Sequence, residues 1–98
     1  MILTGKQKNY LRGLAHSLSP IVTIGNKGLT EPVLAEIEAA LDHHELLKIK
    51  LPSNDKAEKV VLMASITAST NAEPVQLIGR VGVIYRAAST PKLVLPSI

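Results

Sequence analysis

Two glycines three residues apart, Gly25 and Gly28, enclose Asn26 and Lys27 in the stretch IVTIGNKGLTEPVL. Glycines remove side-chain bulk and admit unusual dihedrals, so the backbone amides of such a turn can approach an anion closely. The run Ile21, Val22, Thr23 and Ile24 reads as a strand before the turn, and Thr30 opens a helix after it. The positive end of that helix would add to the ammonium of Lys27. A phosphate is the ligand this pattern suits. The same spacing also serves a plain strand-to-helix connection, and these residues alone leave both readings open.

The other chemistry-bearing cluster is His43, His44 and Glu45. Adjacent helical side chains diverge by about 100°, so the three cannot converge on one ion, and the i, i+4 spacing of helical metal ligands is absent. The expected role of the histidine pair is structural, closing the helix end, with His44 on the apolar side near Ile37 and Leu41. There is no G-x-S-x-G, and the glycine turn lacks the K-[ST] of a phosphate-binding P-loop and the spacing of a dinucleotide fingerprint. No catalytic residue, metal or cofactor is expected, nor a small-molecule substrate.

The elements that must position the loop follow from periodicity. Thr4 with Gln7 is a capping-box pair that opens a helix over about 5–17. Leu11, Leu14, Ala15 and Leu18 lie on one side, Lys8, Arg12 and His16 in a stripe opposite, and Lys6 on a flank. Ser19 and Pro20 end it. After the strand at about 21–24, the second helix runs from Thr30 to about His43, burying Val33, Leu34, Ile37, Ala40 and Leu41 and exposing Glu31, Glu38 and Asp42.

Strand 46–51 alternates Leu47, Ile49 and Leu51 with Leu46, Lys48 and Lys50, which predicts one buried and one partly open face. A third helix spans about 55–69. Its periodicity allows two faces: Val61, Leu62 and Ile66 are the bulkier and the expected core, and Val60, Met63 and Ala64 form either a small apolar surface for a partner or a second buried side. Runs 75–78 and 81–85 flank Gly79 and Arg80 as a hairpin, and Gly82 signals a bulge or a close backbone approach. Arg80 and Arg86 are expected to be solvated. The order is α-β-α-β-α-β-β, an α/β fold whose sheet is mixed, because a strand-helix-strand unit is parallel and a hairpin is antiparallel.

Ninety-eight residues suit one domain, with a core over about 2–87 and a tail at 88–98. The chain has no cysteine, no signal-peptide pattern and no apolar stretch of membrane-spanning length, so a cytoplasmic protein without membrane association is expected. The net charge of +3 is polarised: residues 1–30 carry Lys6, Lys8, Arg12 and Lys27 with no acid, whereas residues 31–45 carry five acids with no Lys or Arg. Such a distribution can orient a protein on a polyanion. With two tyrosines and no Phe or Trp, recognition of RNA would lean on phosphates and shape.

The opening LTGKQKNYLRGLAH, the segment IVTIGNKGLTEPVLAEIEAALDHHELLKIKL, and the late blocks VQLIG and VIYR followed by KLVLP resemble the bacterial YhbY family. This is the stand-alone form of the CRM (chloroplast RNA splicing and ribosome maturation) domain, and the resemblance runs along nearly the whole chain. It implies a mixed four-stranded α/β fold similar to the C-terminal domain of translation initiation factor 3. It also implies RNA binding through a loop that resembles the G-x-x-G loop of KH domains, and association with rRNA in precursors of the large ribosomal subunit. The residues it points to are Gly25, Asn26, Lys27 and Gly28, with Lys6, Lys8 and Arg12 of the first helix. A non-enzymatic assembly factor is the leading expectation. The alternative is an adaptor that docks on ribosomal proteins through the apolar face of the third helix.

Overall fold

The first helix starts where the capping box puts it: the Gln7 amide donates to Thr4 Oγ1 at 3.1 Å and the Thr4 amide to Gln7 Oε1 at 3.0 Å. In this computed structural model, which describes residues 2–97, helix α1 spans Gly5–His16 and buries Gln7, Leu11 and Ala15. Strand β1 (Val22–Thr23) leads through the glycine turn to α2 (Glu31–His44), which is followed by β2 (Leu46–Lys50), α3 (Lys56–Thr70), β3 (Glu73–Ile78) and β4 (Val81–Tyr85). The expected order is present, while Met1 and Ile98, the last residue of the expected tail, lie outside the described residues.

The four strands form one sheet in the order β1-β2-β4-β3, with β1 parallel to β2 and the other pairs antiparallel. The expected mixed sheet is therefore observed. Alternation along β2 works as the sequence predicts: Leu47 and Ile49 are buried on one side, Lys48 is half-buried and Lys50 exposed. On the first face, Val22, Ile24, Leu47, Ile49 and Ile84 pack with Ile37 and Leu41 of α2 and Met63 and Ile66 of α3. On the second, Leu46, Val75, Val83 and Tyr85 pack with Leu3 and with Leu11 and Ala15 of α1.

Helix α3 follows expectation in part. Ile66 is buried and Leu62 packs against the core, with Val60 half exposed, but Met63 is buried and Val61 is 66% exposed. The cause lies on β4: a Cβ added to Gly82 would stand 2.5 Å from Met63 Sδ. The bare backbone of Gly82 leaves a hollow on the sheet, and the flexible thioether fills it. Gly82 is thus a close approach, and the bulge sits instead on β3, where pairing shifts between Pro74 and Gln76. Met63 is core, and only its edge reaches the groove that Val60 and Ala64 line beside β3.

Two polar groups also differ from expectation. Arg86 is not solvated: its guanidinium donates to Glu38 at 2.8 Å, to Asp42 at 2.9 Å and to the Thr70 carbonyl at 2.7 Å, with 20% of the side chain exposed. Glu45, rather than the histidines, closes α2. It sits at φ 65°, and its amide donates to the Leu41 carbonyl. His43 and His44 are both exposed, their rings meeting edge to face, so His44 does not join Ile37 and Leu41 in the core.

The Glu45 carboxylate is fully buried and accepts from the amides of Ala88, Lys92 and Leu93 at 2.7–2.9 Å. Burial pushes its pKa up, but those three donors and the Lys92 ammonium outweigh it, so the group titrates below its ordinary value of 4.5. It straps the C-terminal segment against the second face, where Leu93 and Leu95 pack, and Gln7 Nε2 donates to the Pro96 carbonyl.

Gly82→Ala should lower stability in urea denaturation by about 1–2 kcal/mol. In a Met63→Val background the added loss should be smaller, because the thioether that collides is gone. A second expectation concerns pH. A carboxylate whose folded pKa is depressed stabilises the fold above its ordinary pKa and loses that contribution as pH falls through the depressed value. Glu45→Gln should therefore cost about 1–3 kcal/mol at pH 7, and the gap between wild type and variant should close as the pH is lowered below 4.5.

Candidate nucleic-acid interface

The glycine turn forms because β1 must stop where its partner β2 stops. Thr23 pairs with Lys50, the Ile24 amide donates to the Lys50 carbonyl at 2.8 Å, and the chain then turns back toward α2. The Gly28 amide closes the turn on the Gly25 carbonyl at 3.0 Å, and Thr30 donates to the Gly28 carbonyl at 3.1 Å. Gly28 has φ 74°, the left-handed region that favours glycine. Gly25 is different: its φ is not in that region, and an added Cβ would meet nothing within 4 Å. The fold has no need of glycine at 25, and the absent side chain leaves backbone open to an incoming group.

A four-residue turn closed by its last amide does not use the amides of its two central residues, here Asn26 and Lys27. Both residues are exposed. The helix end contributes less than its position suggests. Thr30 Oγ1 accepts from the Val33 amide, the Thr30 carbonyl from Leu34, Pro32 has no N–H, and Glu31 adds a negative charge. An anion at this loop would therefore be held by the tip of the turn and Lys27, with little from α2.

Two further connections meet the loop at the same end of the sheet. The Leu51 amide donates to the Arg80 carbonyl at 2.7 Å, and Lys59 Nζ donates to Asn54 Oδ1 and to the Gly79 carbonyl, each at 3.0 Å. Beside Asn26 lies a cleft of about 300 Å³ with Ser53, Glu58 and Lys59 on its walls. This end of the sheet thus carries Lys27, Lys50, Lys59 and Arg80.

The first-helix residues lie elsewhere. Lys8 and Arg12 line a groove of about 450 Å³ beside β3, and Lys6 is exposed at the start of α1. Strand β3 is the edge opposite β1, three strand spacings or about 14 Å away. Lys8 and Arg12 therefore lie toward the edge of the sheet opposite the strand that carries the glycine turn. Arg12 is also partly committed to the fold: Nε donates to the carbonyl of Val75 at the β3 bulge at 3.3 Å, and a terminal nitrogen donates to Asn9 at 3.0 Å.

Between the two edges lie β2 and β4, and β2 brings lysines. Lys48 and Lys50 stand on the face that α1 covers, and Lys48 Nζ donates to the carbonyl of Ala15 in the last turn of α1 and to that of Leu18 just past it. Sequence reasoning took these lysines only as the open side of an alternating strand. The signal was present in the K-I-K spacing, which puts both ammonium groups on one face, but nothing in the sequence says which helix lies there. Among the described residues no group of three His, Asp or Glu side chains gathers as a metal site, and no helix is long and apolar enough to cross a membrane.

Residues 3–86 match the family model described as the CRS1 / YhbY (CRM) domain. A Haemophilus influenzae RNA-binding protein is 49% identical over 94 residues, covering 96% of this chain and 95% of that protein. A probable RNA-binding protein of Pseudomonas aeruginosa is 37% identical over the full 98 residues and 94% of its own length. The solution structure of a hypothetical protein from Staphylococcus aureus, provisionally described as RNA-binding, superposes with a TM-score of 0.86 at 41% identity, covering 97% of this chain and all of that one.

The two kinds of basic residue should separate in a stability measurement. Arg12→Ala is expected to cost about 0.5–1 kcal/mol in chemical denaturation, since it removes the hydrogen bond at the β3 bulge. Lys27→Glu, on an exposed turn tip, should change stability by no more than about 0.5 kcal/mol.

Proposed function

Since this chain belongs to the CRS1 / YhbY (CRM) domain family, we propose that it is a non-enzymatic RNA-binding protein that associates with rRNA in precursors of the large ribosomal subunit and assists their assembly. Its contacts are backbone contacts. The turn of Gly25, Asn26, Lys27 and Gly28 takes one phosphate on its tip amides and the Lys27 ammonium, while Lys6, Lys8 and Arg12 of α1 meet the strand further along. Lys48 and Lys50 lie on the path between the two.

The observation that carries this reading is Gly25. A glycine with an ordinary φ and open space at its Cβ position makes sense as an approach route for a ligand's own backbone. The relatives' names supply the kind of ligand. About four phosphate contacts correspond to a log–log salt slope of roughly −3 on single-stranded RNA, so a solitary domain binds modestly and gains from a crowded precursor particle.

A second reading rests on the exposed Val60 and Val61 of α3 and on an apolar groove of about 530 Å³ between Leu29 and Val61. Here the protein rides on ribosomal proteins and never touches RNA. Val61→Asp tests it cleanly, because that side chain is 66% exposed.

The deciding experiment is sedimentation of tagged protein from lysate on a low-salt gradient. Wild type should travel with immature large-subunit particles. The Gly25→Asp, Lys27→Glu double variant, which the open Cβ position allows to fold, should stay at the top. If both travel with the particles and Val61→Asp does not, the RNA reading is wrong and the adaptor reading replaces it.

A further inference from the structure

Helix α1 covers only part of its side of the sheet. It packs over Leu46, Val83 and Tyr85, and its cover thins along the next row of the strands, where Lys50 pairs with Val81 and Val81 with Ile78; Val81 is still half-buried against that cluster. Ile78 is 62% exposed there. Between this thinly covered row and the side of α1 runs a groove of about 570 Å³, within the range of roughly 300–1,000 Å³ that small-ligand sites occupy.

The groove's chemistry has one sign. Its charges are Arg12 on the α1 wall and Lys48 on the floor, with the His16 ring beside Arg12 and no acidic residue among the lining side chains. Two of the three Lys48 donors are spent on the ends of α1, which leaves one for a ligand. Val81 and Ile78 give an apolar surface, and the half-buried amide of Gln76 offers both a donor and an acceptor beside it.

The remaining wall is Gly13, in the interior of α1. Glycine there weakens a helix, and nothing in the fold asks for it, since an added Cβ would meet no atom within 4 Å. The missing side chain widens the groove. Apolar platform, neutral amide, surrounding cations and a widened wall together match one chemical class: a nucleotide, whose flat base needs the platform and whose phosphates need the cations.

We propose that this groove seats one unpaired nucleotide of the RNA strand held by the glycine turn. The inference rests on the RNA-binding reading above and extends it from backbone contact to a base-accepting subsite. The base lies against Val81 and Ile78 with Gln76 at its edge, and the flanking phosphates meet Arg12, His16 and Lys48. From Lys48 to the level of the turn is about four strand residues, or roughly 13 Å, so a short single strand spans both sites.

The test measures binding of fluorescein-labelled single-stranded rA12 and rU12 and of a 12-base-pair RNA duplex, using the full chain. Gly13→Ala should melt about 2–8 °C higher than wild type and still bind more weakly. Gly13→Leu, with charge unchanged and folding checked by circular dichroism, should lose about tenfold in single-strand affinity, the loss of one base contact. Wild-type affinity in Gly13→Leu, alongside a loss in Lys27→Glu, overturns the subsite while leaving the RNA reading intact. Preference for the duplex, unaffected by Gly13→Leu, likewise overturns it. If wild type binds none of the three RNAs, the RNA-binding reading falls and the subsite with it.

Discussion

The central strand pair, β2 with β4, is covered from both sides, and most of the molecule answers to that constraint. Side chains alternate across a sheet, so each of these strands has to furnish two cores at once. Leu47, Ile49 and Ile84 go to the face under α2 and α3, and Leu46, Val83 and Tyr85 to the face under α1. A helix of 12 residues is about 18 Å long and cannot cover the whole of its side. Lysines occupy β2 where the cover thins. Lys48 does so productively, since its ammonium closes the carbonyl end of α1 while its stem lies on the sheet. The basic surface is in this sense a by-product of an incomplete layer.

The second face would be thinner still without the C-terminal segment, and Glu45 holds that segment in place. A buried carboxylate is costly unless its lone pairs are met, and three amides from residues 88–93 meet them. Backbone donors bring no opposing full charge, so the pair-desolvation problem of a buried salt bridge is reduced to a single ion. The left-handed backbone at Glu45 ends α2 and starts β2 one residue later, which aims the carboxylate toward the tail. One residue thus stops a helix, opens a strand and anchors a terminus. The Arg86 cluster does related work on the other side, neutralising Glu38 and Asp42 of the acidic helix and joining it to the end of α3.

The local rules were legible in the sequence and the long-range ones were not. Thr4, Gln7, Thr30 and Asp55 announce helix starts because capping acts within three residues. The K-I-K alternation of β2 announces a two-sided strand because side-chain direction is set by the pleat. Which stripe of α3 buries deeper is not legible locally, because the period of α3 allows either and the place of Met63 depends on Gly82, nineteen positions away. Glu45 was unreadable for the same reason: its partners are 43–48 residues distant. The glycine turn was found, yet its relation to α1 was not, since the two are joined only through the strand order β1-β2-β4-β3. The sequence lists Lys6, Lys8, Arg12 and Lys27 together as the basic residues of its first thirty positions, and only the strand order sets Lys8 and Arg12 toward the edge opposite the turn.

That separation bears on the kind of ligand the surface suits. A compact phosphate compound needs several donors converging within hydrogen-bond distance of one group, and the glycine turn alone supplies two central amides and one lysine at a solvent-exposed tip. Exposed cations about 14 Å apart are further apart than the roughly 8–10 Å Debye length at physiological salt, so they do not reinforce one another on a small anion. A polyanion changes the sum. Each phosphate it presents releases counterions at its own contact, and the contacts add because one chain makes them all. A dispersed set of weak sites is a poor pocket and a workable track, and the acidic face of α2, tied off by Arg86, gives that track only one side of the molecule to follow.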